Sequence, residues 1–588
     1  MCGIFGYLGQ QPASPILLEG IKRLEYRGYD SAGMVTKWNS LHLKKDAGKI
    51  DEINARLDFT DLPGKVGIAH TRWATHGAVT QTNAHPHMSN NGKIAVAHNG
   101  IVENYQELRD FLKENGFVFY TQTDTEIIPN LIEFEMRNGL DFEKACISSF
   151  RRLEGSYAIV VMCESEDKIV AARKESPLVL GVSETGLFVA SDIPAFLPYT
   201  KKVIYLYDFD IAILSDTVKI FNLREDSFVE RYVKTIEWDS EQAKKGEFDH
   251  FMLKEIAEQV DTVKRAITQE RWMIEDFANE IKECEHVFFV AAGSSRYACM
   301  TASYIFSKIA EKHVDVVIAS ELSSFDKFLN DKSLVVAVSQ SGETADVLSA
   351  VRIAREKGSK VISIVNVMGS SLTRLSDKFL LMNVGPEIGV VATKTFTAQV
   401  ALLTLIAYTM ANQYEEGKKR LDFLVNEIYN LTAESSRTRI KELANMLRYT
   451  NHILTIGRGP QYPISQEAAL KIKEVSYIHA ESFAGGELKH GSIALIEPGT
   501  PCIFFISEEN EKECISNAME VKARGGVIIG VSPKNNEVFD YFIRAREANS
   551  CTPIVQIIPI QILAYQLAVL RGNDPDKPRN LAKSVTVK

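Results

Sequence analysis

The chain opens Met1-Cys2-Gly3-Ile4-Phe5-Gly6. Removal of Met1 would place a thiol and a free α-amine on the one carbon skeleton of Cys2. Their ordinary pKa values are roughly 8.5 and 8. The amine can therefore take the thiol proton, directly or through a water, near neutral pH. Nucleophile and base then belong to one residue, as in the pairing of Thr with an N-terminal amine. A cysteine after Met can also be chance, so its weight depends on what else the chain carries.

Three polar clusters stand beside predicted strands or helices. His70-Thr71-Arg72-Trp73-Ala74-Thr75-His76-Gly77 follows the apolar run Val66–Ala69, His98-Asn99-Gly100 follows Ile94–Ala97, and Thr123-Asp124-Thr125-Glu126 opens a helix. Each alone reads as a turn or a cap. With a terminal cysteine they become chemically coherent. Arg72 offers a bidentate fork for the carboxylate of an amino acid ligand, and Asp124 offers an anion for its ammonium. Acyl transfer needs oxyanion donors, which the Asn99 side chain and the Gly100 N–H could supply.

A second set lies in the other half. Ser339-Gln340-Ser341-Gly342-Glu343-Thr344 joins an apolar strand to a helix, and Gly293-Ser294-Ser295 repeats the arrangement one strand earlier. Backbone N–H groups at helix starts, backed by hydroxyls, suit a phosphate at the carboxyl edge of a parallel sheet; ordinary Ser/Thr capping is the competing reading. Neither loop is a Walker A sequence and no GxGxxG follows a first strand, which argues against ATP and dinucleotides. Glu467, Lys471 and Glu474 fall at i, i+4 and i+7, on one helix face. Ionisable groups crowd beside glycines just downstream, in Ser476–Glu481 and Gly485–Gly491, where His490 lies. The tail Pro578–Lys588 would fray by default, yet it carries Lys583, an amine able to form an imine.

These groups need a scaffold, and the patterning supplies one. Residues 1–235 hold short β-type runs with segregated helices, an α+β layered pattern. Residues 236–249 are polar and read as a linker. From 250 onward, wholly apolar strands alternate with helices, the mark of doubly wound parallel α/β sheets. The strand–turn–helix start at Val287–Arg296 recurs at Ile453–Pro460, which predicts an internal duplication over 250–430 and 431–570, with a tail from 571 to 588. A chain of 588 residues has room for roughly three to five domains. Its net charge of −9 argues against a nucleic-acid surface. Eight cysteines without a CxxC pair predict reduced thiols in a cytoplasmic protein. No metal is expected at His85-Pro86-His87. The apolar stretches Ala398–Ala411 and Ile554–Leu570 are too short or too interrupted to span a membrane and read as buried core, and no secretory signal opens the chain.

The first set of motifs, with Tyr26–Gly33 and Asn83–His87, resembles the N-terminal-nucleophile glutamine amidotransferases. That resemblance implies a four-layer α/β/β/α domain in which Cys2 attacks the glutamine amide and a glutamyl thioester is hydrolysed. It implies that Asn99 and Gly100 form the oxyanion hole, that Arg72, Thr75, His76 and Asp124 hold glutamine, and that Trp73 helps gate the ammonia path. The second half is similar to the paired sugar isomerase (SIS) domains of the glutamine–fructose-6-phosphate aminotransferase family. By that resemblance Ser294, Ser295, Ser339, Gln340, Ser341 and Thr344 hold a sugar phosphate. Lys583 forms an imine with the ketose, His490 assists ring opening, and Glu474 shuttles the proton between C1 and C2 with Lys471 nearby. The resemblance further implies L-glutamine and fructose 6-phosphate as substrates, no cofactor, a homodimer in which His490 reaches the partner's site, internal ammonia transfer, and glutamine hydrolysis that depends on bound sugar.

The chain departs from the family pattern near the sugar. Ala292-Gly293-Ser294-Ser295 stands where Cys-Gly-Thr-Ser is usual, Ala392 stands for a serine in Val390–Lys394, and Ser492 stands for a proline after His490-Gly491. One lost hydroxyl can alter which sugar fits. A paralogue aminating a related ketose phosphate is therefore a rival expectation, and a sugar-phosphate sensor without catalysis is a third. Phosphoribosyl transfer and asparagine synthesis lack a matching second half. The absence of the long eukaryotic insertion points to a bacterial-type enzyme without nucleotide-sugar feedback.

Overall fold

Alternation along the strands builds the first half. In the Gly155–Cys163 strand, Tyr157, Ile159 and Val161 join one core while Ala158, Val160 and Met162 join another. A strand with two apolar faces must be covered on both sides. The computed structural model, which describes residues 2–73, 77–236 and 245–586, meets that demand with two antiparallel sheets. The eight-stranded sheet sets Gly3–Gly9 between Gly186–Ala190 and Val66–Arg72. The seven-stranded sheet sets Gly155–Cys163 between Ile94–Val102 and Ile169–Lys174. Their facing sides bury Ile4, Ile68, Ala95, Ala97 and Val160 together. Helices Tyr105–Glu114, Ile127–Arg137 and Phe142–Arg151 cover the outer face of the second sheet through Leu108, Leu131 and Phe150. Helix Ala13–Arg23 covers the first; a Cβ on Gly20 would lie 2.0 Å from the Phe5 ring, so this approach requires glycine. The layers are α/β/β/α.

The chain divides into two compact units, Met1–Lys244 with Ala582–Lys588, and Lys245–Leu581. The second unit contains two five-stranded parallel sheets. In the first, Asp315–Ile318, His286–Ala291, Ser333–Ser339, Lys360–Val365 and Lys378–Leu381 lie side by side in that order. In the second, the order is His479–Ala484, His452–Gly457, Pro501–Phe505, Val527–Ser532 and Tyr541–Arg544. Numbered within each repeat, both read 2-1-3-4-5, so the duplication extends to topology. One continuous core joins them, built from the helices Gly293–Ala310, Lys394–Met410, Gln461–Ser476 and Thr552–Leu570. The one stretch among the described residues long and apolar enough to cross a bilayer, Asn549–Leu570, is 83% buried inside this fold.

Three details differ from the sequence reading. The polar clusters do not follow their strands but end them. Thr71 pairs with Gly3 and Asn99 with Ala158, so His70, Arg72 and Asn99 are strand residues. The ladder continues past the apolar run because its partners continue. The edge strands Asp315–Ile318, Lys378–Leu381, His479–Ala484 and Tyr541–Arg544 are short and largely exposed or half-buried, and the sequence reading did not single them out. Helix formation began late at one predicted start: Asp124–Glu126 is a 3₁₀ turn, and the α-helix runs Ile127–Arg137.

Candidate active sites

In the first unit the sheets converge on Cys2. The register places Gly3 beside Thr71 on one sheet, while Asn99 comes from the other. The Cys2 Sγ accepts the Trp73 N–H at 3.1 Å, and its carbonyl accepts the Asn99 Nδ2 at 2.9 Å and the Arg27 Nε at 3.4 Å. Burial raises the Cys2 thiol pKa, while the Trp73 N–H and the Arg72 and Arg27 charges pull it down. A thiol held protonated in this way needs an adjacent base to become a nucleophile. Asn-Gly is not a turn here. Gly100 has φ +125°, and a Cβ there would lie 2.0 Å from the Ser156 carbonyl, so only glycine fits opposite Tyr157.

Arg72 is 3% exposed and donates to the Gly77 and Ala78 carbonyls at 3.2 Å. Asp124 is 6% exposed, and its Oδ2 accepts the Val102 N–H at 2.8 Å, two residues past Gly100. Trp73 meets Tyr29 edge to face at 5.6 Å. Thr75 and His76 lie outside the described residues. Around these groups sit four buried imidazoles, His70, His85, His87 and His98. They contact one another, Asn99 and the hydroxyls of Thr123 and Thr125. No group of three or more His, Cys, Asp or Glu placed to hold a metal occurs among the described residues.

The second unit gathers its chemistry where the two repeats meet. Gln461–Ser476, the first helix of the second repeat, packs on Gly293–Ala310, its counterpart in the first. This contact buries Lys471 and Glu467 completely. The Lys471 Nζ reaches Glu474 at 2.8 Å, Glu467 at 3.2 Å, the Ser294 Oγ at 3.0 Å and the Ala392 carbonyl at 3.2 Å. Burial opposes the ammonium charge, but the two carboxylates outweigh it and raise the Lys471 pKa. Burial pushes Glu467 up to about 7, with Lys471 pulling against it. One cation thus faces two carboxylates in a dry seam, a proton-rich arrangement able to move protons.

The two predicted phosphate loops sit on adjacent parallel strands, Val290 pairing with Ala337, so both open at the same sheet edge. The N-cap residues of the two following helices, Ala292 and Thr344, make no side-chain cap bond; the loop hydroxyls instead bind within the loop or across to Gln399. Ser339 Oγ accepts the Gly342 N–H at 3.1 Å and lies 3.3 Å from the Thr344 Oγ1; Ser341 Oγ accepts the Glu343 N–H at 3.1 Å. Ser295 Oγ accepts from Gln399 at 3.0 Å, and the Gln340 carbonyl accepts the Asn366 N–H at 3.1 Å. Gly342 has φ +65°, and a Cβ there would lie 2.2 Å from the Ser370 Oγ, a third place that favours glycine.

His490, expected at the sugar site, has no described contact with this seam. His490 ends a 3₁₀ turn, is exposed, and makes no hydrogen bond or ion pair with a described residue. Lys583 clusters with the first unit, whereas the tail up to Leu581 is laid on the second. There Asp576 accepts the Phe251 and Met252 N–H groups, each at 2.8 Å, and the Arg579 N–H donates to the Tyr477 hydroxyl at 2.7 Å. This part of the tail is not frayed. Conversely, the sequence named Glu467 only as a face-mate of Lys471 and gave His70 no role; the i, i+4 spacing was the available signal for the first, and nothing marked the second.

The SIS domain family matches residues 280–408 and 446–571, and the glutamine amidotransferase domain family matches residues 70–198. The glutamine–fructose-6-phosphate aminotransferase (isomerizing) of Thermococcus kodakarensis is 45% identical over 604 aligned positions, covering 100% of both chains. Those of Pyrococcus horikoshii and Methanothermobacter thermautotrophicus are 44% and 45% identical, again over 100% of both chains. Among solved structures, the C-terminal domain of glucosamine–fructose-6-phosphate aminotransferase from Francisella tularensis is similar at 34% identity and a TM-score of 0.52, covering 57% of this chain and 99% of that one.

Proposed function

The chain belongs to the glutamine–fructose-6-phosphate aminotransferase (isomerizing) family, and from that premise we propose how its own residues carry the reaction. The enzyme transfers the amide nitrogen of glutamine to fructose 6-phosphate, giving glucosamine 6-phosphate and glutamate. Cys2 is the proposed nucleophile, deprotonated by its own amine once Met1 is gone. Attack on the glutamine amide releases ammonia and leaves a thioester; one water hydrolyses it to glutamate and restores the thiol. Asn99 and Gly100 take the oxyanion, and Arg72, Trp73, Thr75, His76 and Asp124 hold and enclose glutamine.

In the second unit, Ser294, Ser295, Ser339, Gln340, Ser341 and Thr344 bind the phosphorylated ketose, and Lys583 forms an imine with it. Formation of that imine at C2 releases one water, ammonia then displaces the Lys583 amine from C2, and Glu474, held by Lys471, moves the proton from C1 to C2. His490 assists ring opening. The observation that carries this reading is the fully buried Lys471 between Glu467 and Glu474, against Ser294 at the edge where both hydroxyl-rich loops open. Ala392 meets Lys471 through its backbone carbonyl, a contact that serine and alanine make alike. The full-length relatives named above support fructose 6-phosphate over a related sugar.

The test supplies Met1-processed protein with glutamine and, in parallel, fructose 6-phosphate or other ketose phosphates. Glutamate and amino-sugar phosphate release are measured. Product with fructose 6-phosphate, and glutaminase activity raised by it, is the expected outcome. A response to another ketose phosphate alone would overturn the substrate assignment.

A further inference from the structure

His70 is fully buried and stands behind Asn99 as Asn99 faces the nucleophile. Its Nε2 lies 3.1 Å from the His98 carbonyl oxygen and 3.0 Å from the Asn99 Oδ1. Its Nδ1 is buried with no hydrogen-bond partner, and the ring stacks on His85 at 4.2 Å. A backbone carbonyl only accepts, so the proton of a neutral imidazole must sit on Nε2. The other tautomer would set a lone pair against that carbonyl and strand an N–H at Nδ1. Burial, opposed by the bonds to Asn99 and His98, lowers the His70 pKa to about 3, which keeps the ring neutral.

The fixed tautomer in turn fixes the amide. With Nε2–H as donor, the Asn99 side chain must present Oδ1 to His70 and Nδ2 to Cys2, where Nδ2 donates at 2.9 Å. A flipped amide would face donor with donor on one side and acceptor with acceptor on the other. We propose that His70 is a positioning residue for glutamine hydrolysis: it holds the Asn99 amide so that its N–H group, not its oxygen, faces the developing oxyanion. This rests on the proposed oxyanion role of Asn99. The chain of constraint runs from the His98 carbonyl through the His70 ring to Asn99, so His70 acts only through Asn99.

The test uses full-length, Met1-processed chains carrying His70→Leu, His70→Gln, Asn99→Ala, or His70→Leu with Asn99→Ala. Glutaminase kcat and KM are measured with fructose 6-phosphate present, and Cys2 alkylation by iodoacetamide is followed separately. Displacement of iodide builds no oxyanion, so alkylation reports an intact nucleophile. Losing an oxyanion donor costs roughly 10²–10³ in kcat, and mispositioning one is expected to cost about 10–100-fold. His70→Leu should therefore lower kcat by that factor, leave KM for glutamine within about twofold, and leave alkylation unchanged. His70→Gln, whose amide can offer the same donor, should recover most of kcat. The double variant should be no slower than Asn99→Ala alone, because His70 acts through Asn99. Losses that multiply in the double variant, or alkylation that falls in step with kcat, would overturn the role of His70 alone. An Asn99→Ala chain with unchanged kcat would overturn the oxyanion reading and this proposal with it.

Discussion

Glu467 shows how much one buried side chain can depend on its surroundings. It is fully buried beside Lys471, and burial pushes its pKa from the usual 4.5 up to about 7. Its folded-state pKa is raised, so between about 4.5 and 7 the folded chain keeps a proton that the unfolded chain has lost. Stability contributed by the protonated form is full below that window and falls as pH rises through it. Glu467→Gln cannot titrate. Its midpoint of thermal unfolding should therefore gain on the parent's between pH 4.5 and 7 and hold that gain above. A difference independent of pH would show that Glu467 stays ionised. The i, i+4, i+7 spacing was legible in the sequence, but it is shared by solvated salt-bridged helices. Only packing against Gly293–Ala310 removes the water that would make it one.

At the scale of elements, the strands Val66–Arg72 and Ile94–Val102, one from each antiparallel sheet, carry His70 and His98, and His85 and His87 complete a cluster of four buried imidazoles. Burial is the leading cause that lowers all four below 6.5. Their folded pKa values are depressed, so the unfolded chain binds more protons below about 6.5 and stability is lost as pH falls. Each can contribute at most ~1.4 kcal/mol per pH unit. Amide hydrogen exchange in the Ile94–Val102 strand should lose protection between pH 7.5 and 5.5, after correction for intrinsic exchange. Protection that stays flat across this range would mean the imidazoles charge within the fold. The strands themselves were legible as apolar runs; their polar ends were not, because period-two patterning stops where the chemistry starts. The edge strands were missed because apolar runs as short as Val316–Ile318 and Phe379–Leu381 cannot be told from a loop or a buried helix segment by pattern alone.

For the whole molecule, the open question is what His490 serves. It is exposed and without a hydrogen-bond partner among the described residues, although the family resemblance gives it a part in ring opening. A residue donated to a second copy would look like this in a single chain. Chains carrying His490→Ala and chains carrying Glu474→Gln should each fail to make glucosamine 6-phosphate. Mixed by co-expression, they should recover activity, because one of the two sites in a hybrid pair keeps both groups. Equally dead mixtures would place His490 and Glu474 in the same chain's site and remove the argument for a homodimer.

Sequence alone determined the chemistry on offer and the layering. A cysteine next to the N-terminus, an arginine, an asparagine–glycine pair and two hydroxyl-rich loops are local facts. So are period-two strands in one half and wholly apolar strands alternating with helices in the other. The tertiary structure decided which of these groups lose water and which way they face. Whether Lys471 is a surface cation or a buried one depends on a helix nearly 180 residues away in sequence. The amide of Asn99 is oriented by the Cys2 carbonyl and the His70 ring, which belong to other stretches of chain. Burial and hydrogen-bond direction are set by long-range contacts, and no local pattern records them.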